Sequence, residues 1–217
     1  MNPFTSTPLY AITDSLLMPG EALFAGVTAA LDGGCRLIQY RDKSGNNTQR
    51  LADAKKLLAL CNAYEAQLII NDDVPLAKAI GAHGVHLGQD DVSPILAREH
   101  LGAKAIVGVT CHASLDLAQQ AIKQGANYVA FGRFFPSNTK PDAPPAPLSL
   151  LTAARDVCEP TPVVAIGGIT LENGAQVLAA GADTLAVSHS LFAAADIKRQ
   201  AQAFIALQKN IETRRVP

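Results

Sequence analysis

The chain has 217 residues and a formal net charge of −1, enough for one sizeable core and with no general electrostatic case for nucleic acid. Its apolar share of 48% suits a globular domain. No apolar run approaches the roughly 20 residues needed to span a bilayer. Residues 1–8 lack the basic and apolar regions of a signal peptide, so the expected location is the cytoplasm.

In chain order, a strand is predicted at Leu9–Thr13 and a helix at Glu21–Leu31. Strand Cys35–Arg41 leads to the clearest helix, Thr48–Tyr64, where Leu51, Ala54, Leu57, Leu58 and Cys61 recur at spacings of three and four. Strand Gln67–Asn71 precedes helix Val74–Ile80. Strand Gly84–Leu87 precedes helix Pro94–His100, and strand Ala105–Thr110 precedes helix Leu115–Lys123. Strand Tyr128–Phe131 is joined to helix Leu148–Val157 by the one Pro-rich stretch, Pro136–Pro147, read as a βα loop. Strand Val163–Ile166, helix Glu172–Ala180, strand Thr184–Val187 and helix Ile197–Gln208 complete the series. The strands are short and nearly continuous in apolar residues, as strands covered on both faces should be.

Glycines punctuate this pattern. Gly33-Gly34-Cys35, Gly81-Ala82-His83, Gly125-Ala126-Asn127 and Gly181-Ala182-Asp183 each close a helical stretch before an apolar run. The same αβ loop is therefore reused. Eight such units predict a single (β/α)8 barrel over residues 1–217, with 1–8 and 210–217 as peripheral tails. A doubly wound open sheet would usually carry a G-x-G-x-x-G turn after its first strand, and Thr13-Asp14-Ser15-Leu16-Leu17 is not one.

Polar clusters close four of the strands and would meet on one rim of the barrel. Gln39, Arg41 and Lys43 alternate along the second strand, which puts them on one face and Tyr40 and Asp42 on the other. Such a line of donors suits a diphosphate. Asp72 and Asp91 follow neighbouring strands and could hold Mg2+, which takes one or two carboxylates plus phosphate oxygens. Asp73 and Asp90 compete for that role, and Asp73 could equally cap a helix before Val74-Pro75. Asn71 and Thr110 could read a heterocycle or a phosphate, or simply satisfy loop backbone. Gly167-Gly168 offers an anion cradle that Ser188 and His189 would complete; a plain tight turn is the simpler alternative.

Other motifs carry less. His83 and His86 fall on opposite strand faces, against a two-histidine metal site. Cys35, Cys61, Cys111 and Cys158 are too widely spaced for zinc and read as buried thiols. Cys111 and His112 are adjacent on a strand, which points them apart and argues against a thiolate nucleophile.

The ordered set resembles the thiamine phosphate synthase family over nearly the whole chain, from Leu9–Asp14 to Val187-Ser188. The motifs are Gln39–Lys43, Ile70-Asn71-Asp72, Gly84–Asp91, Gly108-Val109-Thr110, Phe135–Lys140 and Val164–Ile169. The resemblance implies a barrel enzyme that joins a pyrimidine diphosphate to a thiazole phosphate and releases pyrophosphate. By carry-over, Gln39, Tyr40, Arg41, Asp42, Lys43, Asn71, Thr110 and Lys140 bind the pyrimidine diphosphate. Asp72 and Asp91 hold Mg2+. Ser137, Asn138, Thr139, Gly168, Ser188 and His189 meet the thiazole phosphate. Arg41, Lys43 and Lys140 stabilise the leaving group. The partners implied are small molecules, not nucleic acid or membrane, with a homodimer as the candidate assembly.

The family often has Ser where Thr110 stands and Thr where Ser137 stands, so both swaps keep the hydroxyl. Pro is common where Arg133 stands, and Ser where His189 stands. Three other readings compete. A tautomerase would use a histidine such as His112 for proton transfer, a precursor sensor would need no metal pair, and a sugar-phosphate epimerase would not explain Gln39–Lys43. The sequence-based assignment predicts that Lys140→Ala lowers the coupling rate far more than it weakens thiazole phosphate binding. Equal loss in single-turnover rate and in affinity would count against a leaving-group role.

Overall fold

The computed structural model describes residues 3–136 and 145–215. Eight parallel strands pair in sequence order and β1 closes on β8, giving the expected barrel. The strands are β1 Leu9–Ile12, β2 Leu37–Tyr40, β3 Gln67–Asn71, β4 Gly84–Leu87, β5 Ile106–His112, β6 Tyr128–Phe131, β7 Val163–Ile166 and β8 Thr184–Val187. The helices are α1 Pro3–Ser6, α2 Glu21–Asp32, α3 Asn47–Ala63, α4 Val74–Ile80, α5 Pro94–Leu101, α6 Leu115–Lys123, α7 Ser149–Cys158, α8 Leu171–Ala180, α9 His189–Phe192 and α10 Ile197–Arg215. None of the described helices is long and apolar enough to cross a membrane.

Strand alternation divides the core in two. Leu9, Ala11, Ile38, Tyr40, Leu68 and Ile70 face outward into the layer under the helices. Tyr10, Ile12, Leu37, Ile69, Tyr128, Ala130, Val164 and Ala186 face inward and fill the barrel. Helix entries are capped as the sequence suggests. Asp73 accepts from the Leu76 N–H at 2.8 Å and Ser93 caps α5, each followed shortly by a proline at the helix start. Gly81 ends α4 in the left-handed conformation, at φ +70°. At the first repeat it is Gly34, at φ +96°, rather than Gly33 that takes this conformation.

The interior has an aromatic floor. The Tyr128 ring crosses β5 at Gly108, where any Cβ would lie 1.9 Å from Tyr128 Cζ. Phe4 stacks on Tyr128 with centroids 3.9 Å apart and meets Tyr10 edge-on at 5.2 Å. The Thr184 hydroxyl bonds the Phe4 and Thr7 carbonyls at 2.6 and 3.0 Å. Residues 3–7 are therefore not the peripheral tail expected from sequence. Phe4 is fully buried and closes the barrel from below. At the other end, where a tail was expected from residue 210, the backbone continues as helix α10 to Arg215.

All four cysteines are reduced and buried. Burial pushes the Cys35 thiol up to about 11, and the Cys61 and Cys111 thiols up to about 12.

Phe4→Ala should cost about 3–5 kcal/mol of stability, the usual loss for a buried ring. Urea unfolding measures it, and a loss under about 1 kcal/mol would return residues 3–7 to the status of a tail.

Candidate active site

The carboxyl ends of the strands surround a cavity of about 300 Å³. Its walls include Ile12, Ala130, Val164, Ile166 and Ala186. Gln39, Arg41, Asn71, Thr110, Gly168, Ser188 and His189 supply polar groups. Seven of the sequence-assigned residues therefore share one cavity. Ser137, Asn138, Thr139 and Lys140 lie outside the described residues.

On β2 the alternation holds only as far as the strand does. Gln39 points inward and is buried. Tyr40 points outward and is packed beneath the helices, so it can meet a ligand in the cavity only through its backbone. The Arg41 N–H donates to the Thr13 hydroxyl at 2.9 Å, tying the ends of β1 and β2 together. Asp42 accepts from the Ser44 N–H at 2.7 Å and hydroxyl at 3.1 Å, which organises the loop rather than lining the cavity. β2 ends at Tyr40, so Lys43 is not on the Gln39–Arg41 face. It reaches sideways to form an ion pair with Asp72.

Asp72 adopts φ +62°, a conformation uncommon for a residue with a side chain, though Asp tolerates it better than most. Its N–H donates to the His86 carbonyl at 2.8 Å, extending the β3–β4 ladder by one residue. Its carboxylate faces both Lys43 and Asp91. Burial pushes the Asp72 carboxyl up, but the Lys43 hydrogen bond and charge, with a hydrogen bond from Asp91, outweigh it and hold it low. Asp91 is anchored by the Gly88 N–H at 2.7 Å. It is raised, first by burial and then by the Asp72 charge, against the lowering effect of Gly88.

Two carboxylates in contact, one low and one raised, form a pair that a second cation would relieve. No group of three or more His, Cys, Asp or Glu gathers among the described residues. Mg2+ needs no such cage where substrate phosphate supplies the remaining oxygens, so the pair fits its chemistry. The competitor Asp73 is committed elsewhere: it caps α4 and pairs with Arg50 at 2.8 Å. Asp90 is exposed.

Across the mouth, Gly167 and Gly168 both take positive φ. A Cβ on Gly167 would lie 2.2 Å from Arg133 Cβ, and one on Gly168 would lie 2.3 Å from the Pro136 carbonyl. The loops after β6 and β7 thus press together at a point only glycine permits. Asn173 locks the turn, accepting from the Thr170 N–H at 2.8 Å and donating to the Gly168 carbonyl at 2.9 Å. The Ser188 hydroxyl oxygen is buried beside this turn with no hydrogen-bond partner among the described residues.

Sequence reasoning missed several residues of the cavity. Tyr10, His86, His112, Arg133 and Ser190 all line it. His86 and His83 do separate as expected. His83 accepts from the Leu68 N–H outside the strand, and His86 points into the barrel. Inward alternation on β1 and β4 was the available signal for Tyr10 and His86. Cys111 and His112 also part, with Cys111 in the outer core.

A closed (β/α)8 barrel with carboxylates on one side of its mouth and a glycine turn on the other has the architecture of an enzyme that acts on small molecules. The family model described as thiamine monophosphate synthase matches residues 9–191. A thiamine-phosphate synthase of Saccharophagus degradans is 55% identical over 213 residues, 97% of each chain. One of Marinobacter nauticus is 52% identical over 198 residues, 90% of this chain and 88% of its own. The solved thiamine phosphate pyrophosphorylase of Pyrococcus furiosus superposes with a TM-score of 0.87 at 32% identity, covering 97% of this chain and 99% of its own. The chain belongs to the thiamine monophosphate synthase family, and is a transferase of thiamine biosynthesis.

The two carboxylates have opposite pH signatures. Asp72, held low, contributes stability above its unfolded pKa that is lost as the pH falls through its folded value. Asp91, raised, contributes stability below its unfolded pKa that is lost as the pH rises through its folded value. Metal-free Asp91→Asn should therefore melt slightly higher than the parent at neutral pH. The difference should vanish below about pH 3, where the parent carboxyl is protonated folded and unfolded. A lower Tm at neutral pH would contradict this sign.

Proposed function

We propose that the chain couples 4-amino-2-methyl-5-(diphosphooxymethyl)pyrimidine with 4-methyl-5-(2-phosphooxyethyl)thiazole, giving thiamine phosphate and pyrophosphate. The observation that carries this reading is the division of one cavity mouth. Arg41, with Lys43, Asp72 and Asp91 beside it, stands at β2–β4, and the Gly167-Gly168 turn with the orphan Ser188 hydroxyl stands at β7–β8. Such a mouth accepts two anionic substrates without superposing their charges.

In this reading the pyrimidine sits in the inner part of the cavity, with Gln39, Asn71 and Thr110 available to its heteroatoms and its diphosphate toward Arg41 and Lys43. Asp72 and Asp91 would hold Mg2+, whose contribution is to neutralise charge developing on the departing pyrophosphate. Arg41 and Lys43, with Lys140, do the same from the protein side. Departure of pyrophosphate leaves a benzylic-type cation stabilised by the ring amino group. The apolar walls exclude competing water. The thiazole nitrogen attacks with its own lone pair, so no base has to create the nucleophile. Gly168, Ser188 and His189, with Ser137, Asn138 and Thr139, would hold the thiazole phosphate at the opposite rim.

Pyrophosphate release should require both precursors together, and should fall at least about a hundredfold when Mg2+ is withdrawn, in keeping with several kcal/mol of charge stabilisation. A coupled pyrophosphate assay measures both. Release from the pyrimidine diphosphate alone at the same rate, or no metal dependence, would refute the proposal.

A further inference from the structure

Five polar side chains join end to end inside the barrel. Gln39 Nε2 donates to Tyr10 Oη at 2.7 Å. Tyr10 Oη and Tyr128 Oη lie 3.0 Å apart. Tyr128 Oη is 2.8 Å from His86 Nδ1, and His86 Nε2 is 2.8 Å from Thr110 Oγ1. Gln39, Tyr10, His86 and Thr110 line the cavity; Tyr128 does not, being sealed between Phe4 and Gly108. The chain therefore leaves the cavity at Gln39 and Tyr10 and returns to it at His86 and Thr110.

Its polarity is fixed by counting hydrogens. A phenol has one to donate, and burial pushes both tyrosines up, so both remain protonated hydroxyls. Tyr10 already accepts from Gln39. If Tyr10 donates to Tyr128, then Tyr128 donates to His86 Nδ1. His86 must then carry its proton on Nε2 and donate to Thr110. Both tyrosine hydroxyls are then satisfied, and the one free hydrogen is that of Thr110, at the cavity wall. With the Gln39 nitrogen on Tyr10, the reverse sense would make Tyr10 accept twice and leave its own hydrogen without an acceptor among the described residues. A doubly protonated His86 leaves the same orphan.

We infer that Tyr128 is a positioning residue, which acts through His86 to hold the Thr110 hydroxyl as a hydrogen-bond donor to the substrate, the sense of the relay being set by Gln39. Gln39 with its nitrogen on Tyr10 leaves its carbonyl oxygen to accept from a ligand amine. A ligand that presents an amine to Gln39 therefore locks the polarity that makes Thr110 a donor across the barrel. This extension to substrate rests on the proposed coupling reaction, where the aminopyrimidine supplies the amine. The relay itself does not.

Nitrogen-15 NMR of histidine-labelled protein, with His86 assigned by difference from His86→Asn, reads the ring tautomer without substrate. The parent should show a protonated Nε2 and a bare Nδ1. Gln39→Glu, measured above the titration of the new carboxyl, can only accept from Tyr10. It should reverse the relay and move the proton to Nδ1. In Tyr128→Phe the same Gln39→Glu change should no longer move it. A protonated Nδ1 in the parent, or an unchanged ring in Gln39→Glu, overturns the inference. If Gln39→Glu fails to fold, the parent spectrum still decides. In the coupled assay Tyr128→Phe should lower kcat about tenfold, the worth of one oriented hydrogen bond, with the KM for thiazole phosphate unchanged. Thr110→Val should add little in that background, and full additivity would count against the relay. A parent with the expected tautomer but no coupling activity would sink the functional reading and leave the relay standing.

Discussion

A closed eight-stranded barrel must fill its own interior with side chains, and here aromatic and polar groups share that interior with the aliphatic ones. Phe4, Tyr10 and Tyr128 occupy the floor, and Gly108 vacates the space for the Tyr128 ring. Each tyrosine brings a hydroxyl into the buried interior, where an unpaired group is costly. The need to satisfy those hydroxyls places Gln39 and His86 on the same hydrogen-bonded chain and carries it up to Thr110 at the mouth. The chemistry of the rim is thus continuous with the packing of the base.

The charged groups obey a second constraint, separation. The carboxylates and Lys43 gather beyond β2, β3 and β4, whereas the glycine turn and Ser188 lie beyond β7 and β8. Apolar walls lie between, in a medium where unscreened charges act strongly on one another. Asp72 reaches its partners only by leaving the ordinary strand conformation, and the bond from its N–H to the His86 carbonyl stabilises that departure. The acidic pair is therefore braced by the strand that also carries the imidazole.

Much of this was legible in the residues. The eight strands follow from short apolar runs, and their order follows from repeated glycine punctuation, because both signals are local. The inward turn of Gln39 and the outward turn of Tyr40 follow from strand period. The direction of Lys43 does not, because β2 stops at Tyr40 and period ends with the strand. α1 and α9 span four residues each, too short to show a helical period. The burial of Phe4 depends on contacts with residues more than a hundred positions away, which no window of sequence displays. Tyr10 and His86 alternate inward in plain view, but strand period does not show that they are joined across the barrel through Tyr128. Asp73 was ambiguous between ligand and cap, and its bonds to the Leu76 N–H and to Arg50 give it structural employment.

The union of Phe4 and Thr7 with Thr184 has a consequence for the order of events during biosynthesis. A ribosome releases Phe4 and β1 long before β8, the strand that receives them. Until β8 emerges, the Phe4 carbonyl lacks its hydroxyl donor, Thr184, and β1 has only one of its two neighbours. The nascent chain must therefore carry an aromatic residue and an open strand edge until β8 emerges. Closure of the ring and seating of its base become a single, late step.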